Sequence, residues 1–165
     1  MKPLFDPNML LSEHFTLGEM LRSETAEKNH INNTPLKSHI TALQNLCVRC
    51  LEPTRCHFNL PIKVNSGFRS IDLNKALHGA DASQHMKGEA ADVTIPRRAW
   101  PFCYTTTEQI ARLLFEWMKD NIDYDQLILE HSGSAWWVHV SCRVNFRHNR
   151  HEKLLISNGK TTILE

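Results

Sequence analysis

Two imidazoles and one carboxylate stand out in this chain. His85 and Asp92 lie in Ser83-Gln84-His85-Met86-Lys87-Gly88-Glu89-Ala90-Ala91-Asp92, and His139 lies in Trp137-Val138-His139-Val140-Ser141. Two His and one carboxylate leave a fourth tetrahedral position open for water, the arrangement of a catalytic rather than a structural zinc. Asp92 sits in the apolar run Ala90-Ala91-Asp92-Val93-Thr94-Ile95, which reads as a strand. Strand side chains alternate, so Ala90, Asp92 and Thr94 share one face. A carboxylate among small residues in a half-buried strand needs a partner, and a cation is the simplest one. Gly88 lets the loop carrying His85 turn back onto that strand. His139 shares a face with Trp137 and Ser141, opposite Trp136, Val138 and Val140. Either His alone would read as a hydrogen-bonded core or rim residue, and Asp92 alone as a salt-bridged one. The three together point to a metal.

The elements that must position these groups are legible from periodicity. Thr16-Leu17-Gly18-Glu19 fits a capping box opening a short helix to about Arg22. Thr34-Pro35 reads as an N-cap with proline at the first helical position, and Leu36, Ile40, Leu43, Cys47, Cys50 and Leu51 follow at helical spacing. Ile62 to Asn65 reads as a strand, and Ser70 caps a helix over Ile71 to about Leu77. Ala90 to Ile95 is a strand, and Pro96 to Thr105 a loop. Ile110, Leu113, Leu114, Trp117 and Met118 mark an amphipathic helix. Strands follow at Gln126 to Glu130 and Trp137 to Ser141. Leu154 to Ser157 and Thr161 to Leu164 flank Asn158-Gly159, a hairpin signal because both turn positions accept φ > 0. Helices first and clustered strands later predict an α+β fold with a small antiparallel sheet flanked by helices.

The chain has 165 residues, so a single domain over residues 1–165 is expected. Lys and Arg total 19 against 18 Asp and Glu, a balance that argues against a nucleic-acid grip built on bulk charge. No stretch approaches the roughly 20 apolar residues of a membrane helix. The N-terminus lacks the apolar run of a signal peptide, and the five Cys are an odd number. Synthesis in a reducing cytoplasm with free thiols is expected, and nothing calls for more than a monomer.

Ser83-x-His85-x-x-Gly88-x-Ala90-x-Asp92 with Trp137-Val138-His139 resembles the zinc D-Ala-D-Ala carboxypeptidase family of metallopeptidases, in particular its small phage- and bacterium-encoded branch. The resemblance extends to His14-Phe15-Thr16-Leu17, Arg22-Ser23, Asn33-Thr34-Pro35, Val64-Asn65-Ser66-Gly67-Phe68-Arg69-Ser70, Leu73-Asn74 and Asp125 to Glu130. It implies Zn(2+) on His85, Asp92 and His139, and a fold shared with the Hedgehog signalling domain. It also implies a peptidoglycan stem peptide as substrate, cut by a carboxypeptidase or endopeptidase that reaches the wall through phage lysis or a phage particle.

Many family members place an acidic base three positions before the last His ligand, where this chain has Trp136. Glu130 is the replacement candidate. Facing Leu127, Leu129, Trp136, Val138 and Val140 to the core pairs Leu129 with Val138 and Glu130 with Trp137, leaving His131 to Trp136 as the hairpin loop. Glu130 is then diagonal to His139, roughly 7–8 Å away and within reach through one water. A solvated strand-end Glu is the alternative. Arg69, after Gly67 and before a helix cap, is the candidate partner of the oxyanion, with a surface salt bridge as the alternative. Ser83 and Gln84 flank the first ligand and, with Trp137, are candidate substrate contacts; Ser83 equally suits a turn.

Other features read as structural. Cys47 and Cys50 fall on the apolar face of their helix and suit core packing better than redox chemistry. Arg143, Arg147, His148, Arg150, His151 and Lys153 form a basic segment, either a solvated loop or a contact for anionic wall polymer. Trp100 lines the cleft or plugs the core. A non-catalytic zinc-binding recognition module is the competing function, since the acid at position 136 is displaced.

Overall fold

The computed structural model describes residues 5–101 and 105–164. Six strands form one sheet in the order β1-β2-β4-β3-β5-β6. They are β1 (Lys63–Ser66), β2 (Ala90–Thr94), β3 (Gln126–Ser132), β4 (Ala135–Ser141), β5 (Glu152–Ser157) and β6 (Lys160–Ile163). The helices are α1 (Leu17–Leu21), α2 (Glu24–Lys28), α3 (Lys37–Leu46), α4 (Glu52–Phe58), α5 (Ile71–Ala76) and α6 (Thr107–Asn121). The fold is α+β. Among the described residues no helix is long and apolar enough to cross a membrane.

The sheet divides by side-chain parity. Ala91, Val93, Leu127, Leu129, Val138 and Val140 are buried in the core together with Ile110, Ala111, Leu114, Phe115 and Met118 of α6. Asp92, Ile128, Glu130, Trp137 and His139 occupy the opposite parity and line a cleft. A Thr106–Gln109 capping box starts α6. Ile110, Leu114 and Met118 are buried as expected, but Ala111 and Phe115 complete the stripe in place of Leu113, which is 50% exposed, and Trp117. Trp117, half-buried, stacks on His57 with ring centroids 4.4 Å apart.

Several boundaries differ from expectation, each for a local reason. The helix expected from Thr34-Pro35 starts at Lys37, because the His39 ring takes over capping by accepting from the Leu36 N–H at 3.1 Å. It runs into a π-helical turn at Cys47–Leu51 before α4. Pro53 has no N–H for a regular bond back to position 49, and the Glu52 N–H reaches Cys47 O instead. The short α2, capped by Ser23, has too few periodic positions to be detected in sequence. The β3–β4 hairpin keeps the expected register, Leu129 opposite Val138 and Glu130 opposite Trp137. It is longer than expected, continuing through His131 opposite Trp136 and Ser132 opposite Ala135. Gly133 at φ +58° closes it in a two-residue turn.

The sheet is mixed rather than purely antiparallel. β5 runs parallel to β3, with Gln126 opposite Glu152, Ile128 opposite Leu154 and Glu130 opposite Ile156. The chain between β4 and β5 therefore crosses the start of β3, where Asp125 is fully buried. Asp125 accepts from Arg143 Nε at 2.6 Å, Arg150 Nη2 at 2.7 Å and the Arg150 backbone N–H at 3.0 Å. Two cations from the basic segment thus fasten the crossover. The final hairpin turns at Asn158 (φ +48°) and Gly159 (φ +82°), as its sequence predicts.

Candidate metal centre

Strand pairing brings the first two site residues together. β2 and β4 are antiparallel neighbours, and Asp92 stands directly opposite His139. Directly opposed residues on one face are the closest cross-strand neighbours. His85 arrives from a 3-10 turn, Gln84–Lys87, ended by Gly88 at φ +72°. A Cβ on residue 88 would fall 2.6 Å from the His39 carbonyl oxygen, so glycine is required both for the turn and for the close approach.

The three ligand atoms lie within 4.8 Å of one another, the one group among the described residues able to hold a metal ion. Asp92 Oδ1 is 3.3 Å from His85 Nε2 and 2.9 Å from His139 Nδ1. Tetrahedral ligands at about 2.1 Å from a zinc stand about 3.4 Å apart, close to the His85–Asp92 separation. His85 Nδ1 donates to Gly67 O at 2.7 Å, which turns the Nε2 lone pair toward Asp92. Arg69 Nη2 donates to Asp92 Oδ2 at 2.7 Å, leaving Oδ1 as the oxygen facing both rings. The donor set, two imidazole nitrogens and one carboxylate oxygen, suits zinc.

The electrostatics keep His85 and Asp92 in their binding forms. Burial pushes the His85 pKa below its ordinary value and outweighs the opposing pull of Asp92, so the ring is held neutral. Burial alone would raise the Asp92 pKa, but His85 and His139 hold its carboxyl well below the usual carboxylate range. A neutral imidazole and an ionised carboxylate are the forms that bind a metal.

The other candidates gather around this group. Arg69, Ser83, Gln84, Glu130 and Trp137 line the same cleft, about 500 Å³ in volume. Arg69 is not a surface residue: its side chain is 15% exposed and is held by Ser66 Oγ at 2.8 Å as well as by Asp92. Glu130 is diagonal to His139, since His139 pairs with Ile128 and Trp137 with Glu130. Burial raises the Glu130 pKa, the Asp92 charge adds to the rise, and His139 and a hydrogen bond from Trp137 oppose it.

The sequence reading missed the wall opposite these residues. Ile128, Leu154 and Ile156 line the cleft beside Glu130, together with Gln126 and Arg150. Strand parity carries a signal for Ile128. Leu154 and Ile156 reach the site only because β5 pairs with β3 in parallel.

The features read as structural resolve individually. Cys47, Cys50 and Cys142 are fully buried and free, and Cys56 is exposed and free. Hydrogen bonds from Cys50, Asn149 and Asn45 pull the Cys142 thiol down to about 7 against the effect of burial. Trp100 packs on the core beside Phe58, ring centroids 6.2 Å apart, and is absent from the cleft lining. Arg143 and Arg150 are engaged by Asp125 and His151 by Asp123, so this part of the basic segment is structural.

A sequence model of the family Peptidase M15 matches residues 13–114. The matched span includes His85, Asp92 and Arg69 and ends before β3 and β4, which carry Glu130 and His139. No curated protein matches the chain.

Proposed function

The chain belongs to the peptidase M15 family, and from that premise we propose that it is a zinc-dependent peptidase cutting an amide bond in a peptidoglycan stem peptide. Family membership supports a metallopeptidase. The observation that carries the reading to this chain is the convergence of His85, Asp92 and His139 at the base of a cleft that also contains Glu130. Bound zinc supplies Lewis-acid activation of the scissile carbonyl and of the attacking water.

The chain's own residues account for the remaining steps. Glu130 takes the proton from the attacking water and returns it to the leaving amine, and its raised pKa suits a group that must do both near neutrality. Trp137, the cross-strand partner of Glu130, flanks that carboxylate in the cleft lining. Arg69 fixes the orientation of Asp92 and brings a guanidinium charge to the cleft lining, where it helps to stabilise the developing oxyanion. Ser83 and Gln84 contact the substrate backbone from the rim, and Ile128, Leu154 and Ile156 form an apolar wall for a small side chain next to the cut bond.

The test is digestion of purified muropeptides by the zinc-loaded protein, read by mass spectrometry. The reading expects loss of a terminal residue (carboxypeptidase) or splitting of the peptide (endopeptidase). Unchanged muropeptides with zinc bound would favour a recognition module on the same scaffold.

A further inference from the structure

Two of the three candidate ligands, His85 and Asp92, are held from behind by a loop, Ser66 to Ser70. Its Gly67 carbonyl accepts from the His85 ring, and the Arg69 N–H donates to the His85 carbonyl at 3.2 Å. Its Arg69 side chain holds Asp92. A loop with this duty needs its backbone fixed, yet it runs from the last residue of β1 to the N-cap of α5 with no regular element between.

One side chain from a distant segment supplies the fixation. Asn33 Nδ2 donates to Phe68 O at 3.1 Å, and Asn33 Oδ1 accepts from the Ser70 N–H at 2.7 Å. The two bonds fall on the residues immediately before and after Arg69. The second amide hydrogen reaches Leu21 O, the end of α1, at 2.9 Å. Both amide hydrogens and the amide oxygen are used on backbone, and two of the three bonds bracket the arginine. Asparagine is the side chain that meets this demand: aspartate has no donor for the two carbonyls, and serine has too few groups to serve all three.

We propose that Asn33 is a positioning residue for the metal site, clamping the backbone on both sides of Arg69 so that Gly67 O and the guanidinium meet His85 and Asp92 in ligand geometry. Asn33 touches neither a ligand nor the space a substrate would fill, so its effect passes through the Ser66–Ser70 loop. The packing around that loop leaves it little room to compensate. The Phe68 N–H donates to Met20 O at 2.8 Å, and a Cβ on residue 67 would fall 2.5 Å from the same oxygen. Released from Asn33, the loop keeps only the Phe68 N–H anchor, with the Phe68 carbonyl and the Ser70 N–H on either side of Arg69 both freed.

The inference rests on the zinc reading but not on the substrate. It is tested with the full chain by zinc competition against a chromophoric chelator, alongside thermal melts of the zinc-free protein. Asn33→Ala and Asn33→Asp are compared with Thr106→Ala, which removes the N-cap of α6 away from the site. The expected result is a zinc Kd raised about 10-fold or more in both Asn33 variants, the range seen when groups behind a metal ligand are lost. Thr106→Ala should melt earlier with an unchanged zinc Kd. Asn33→Asp retains the Ser70 bond but sets a carboxylate oxygen against the Phe68 and Leu21 carbonyls, so it opens the clamp on the other side of Arg69 and provides a folded protein for the measurement if the alanine variant does not. A zinc Kd equal to wild type in a folded Asn33 variant overturns the proposal, whatever its melting temperature. Wild-type protein that binds zinc but leaves muropeptides intact defeats the peptidase reading and leaves this one standing.

Discussion

Arg69 and Asp92 form a nearly buried ion pair, Nη2 to Oδ2 at 2.7 Å, with side chains 15% and 13% exposed. The pair ties the loop after β1 to a candidate metal ligand in β2 and decides which carboxylate oxygen faces the two imidazoles. Breaking a buried pair from one side leaves the other charge uncompensated. Arg69→Ala should therefore destabilise the zinc-free fold and, by releasing the Asp92 carboxylate from its fixed orientation, weaken zinc binding by about 10–100-fold. Arg69→Lys should fall between the two, since one ammonium cannot reproduce the planar fork that reaches both Ser66 and Asp92. Chelator competition measures both; an unchanged zinc affinity in Arg69→Ala would remove the pair from the metal site.

Metal binding should be linked to stability. A ligand that binds only the folded state at about 100 times its Kd adds about 2.7 kcal/mol. Treatment with a chelator should lower the melting temperature, and added zinc should restore it. His139→Ala should remove that response. A melt indifferent to chelator in the wild type would contradict a metal centre at His85, Asp92 and His139.

Glu130 should separate catalysis from metal binding. Glu130→Gln keeps the shape and removes the proton acceptor, so kcat should fall by about 10²- to 10⁴-fold. Zinc affinity should stay at the wild-type value, because Glu130 is not among the three ligand candidates. Wild-type turnover in this variant would return the role of base to another group.

Asp125 makes stability depend on pH. Burial raises its pKa, but the Arg150 side chain and backbone and then Arg143 more than reverse this, and the folded value is lowered. A folded pKa below the unfolded value of about 3.9 means the stabilisation is fully present above that pH. It is lost as the pH falls through the lower folded value. Urea unfolding of zinc-free protein should show this loss below about pH 4. Asp125→Ala should cost about 1.5–3 kcal/mol at neutral pH, since the arginines it leaves behind are partly exposed, and flatten the acid limb. An acid limb unchanged in the variant would assign the effect to another carboxylate.

The sequence by itself determined the local elements and the parity of the strands. The Thr16 capping box, the Asn158-Gly159 hairpin and the register of Glu130 opposite Trp137 follow from short-range chemistry and from which face must be apolar. Parity also placed Asp92 and His139 on the face away from the core. Only the tertiary structure decided what each charge meets and how the strands are ordered. Arg69 could have faced solvent, and Arg143 and Arg150 read equally well as a free basic patch, until packing set them on Asp92 and Asp125. The parallel entry of β5, which carries Leu154 and Ile156 to the cleft, has no local signature either. The reason is range: propensity and alternation act over a few residues, whereas the partner of a buried charge and the neighbour of a strand are chosen by segments far apart in the chain, whose meeting depends on the whole core closing at once.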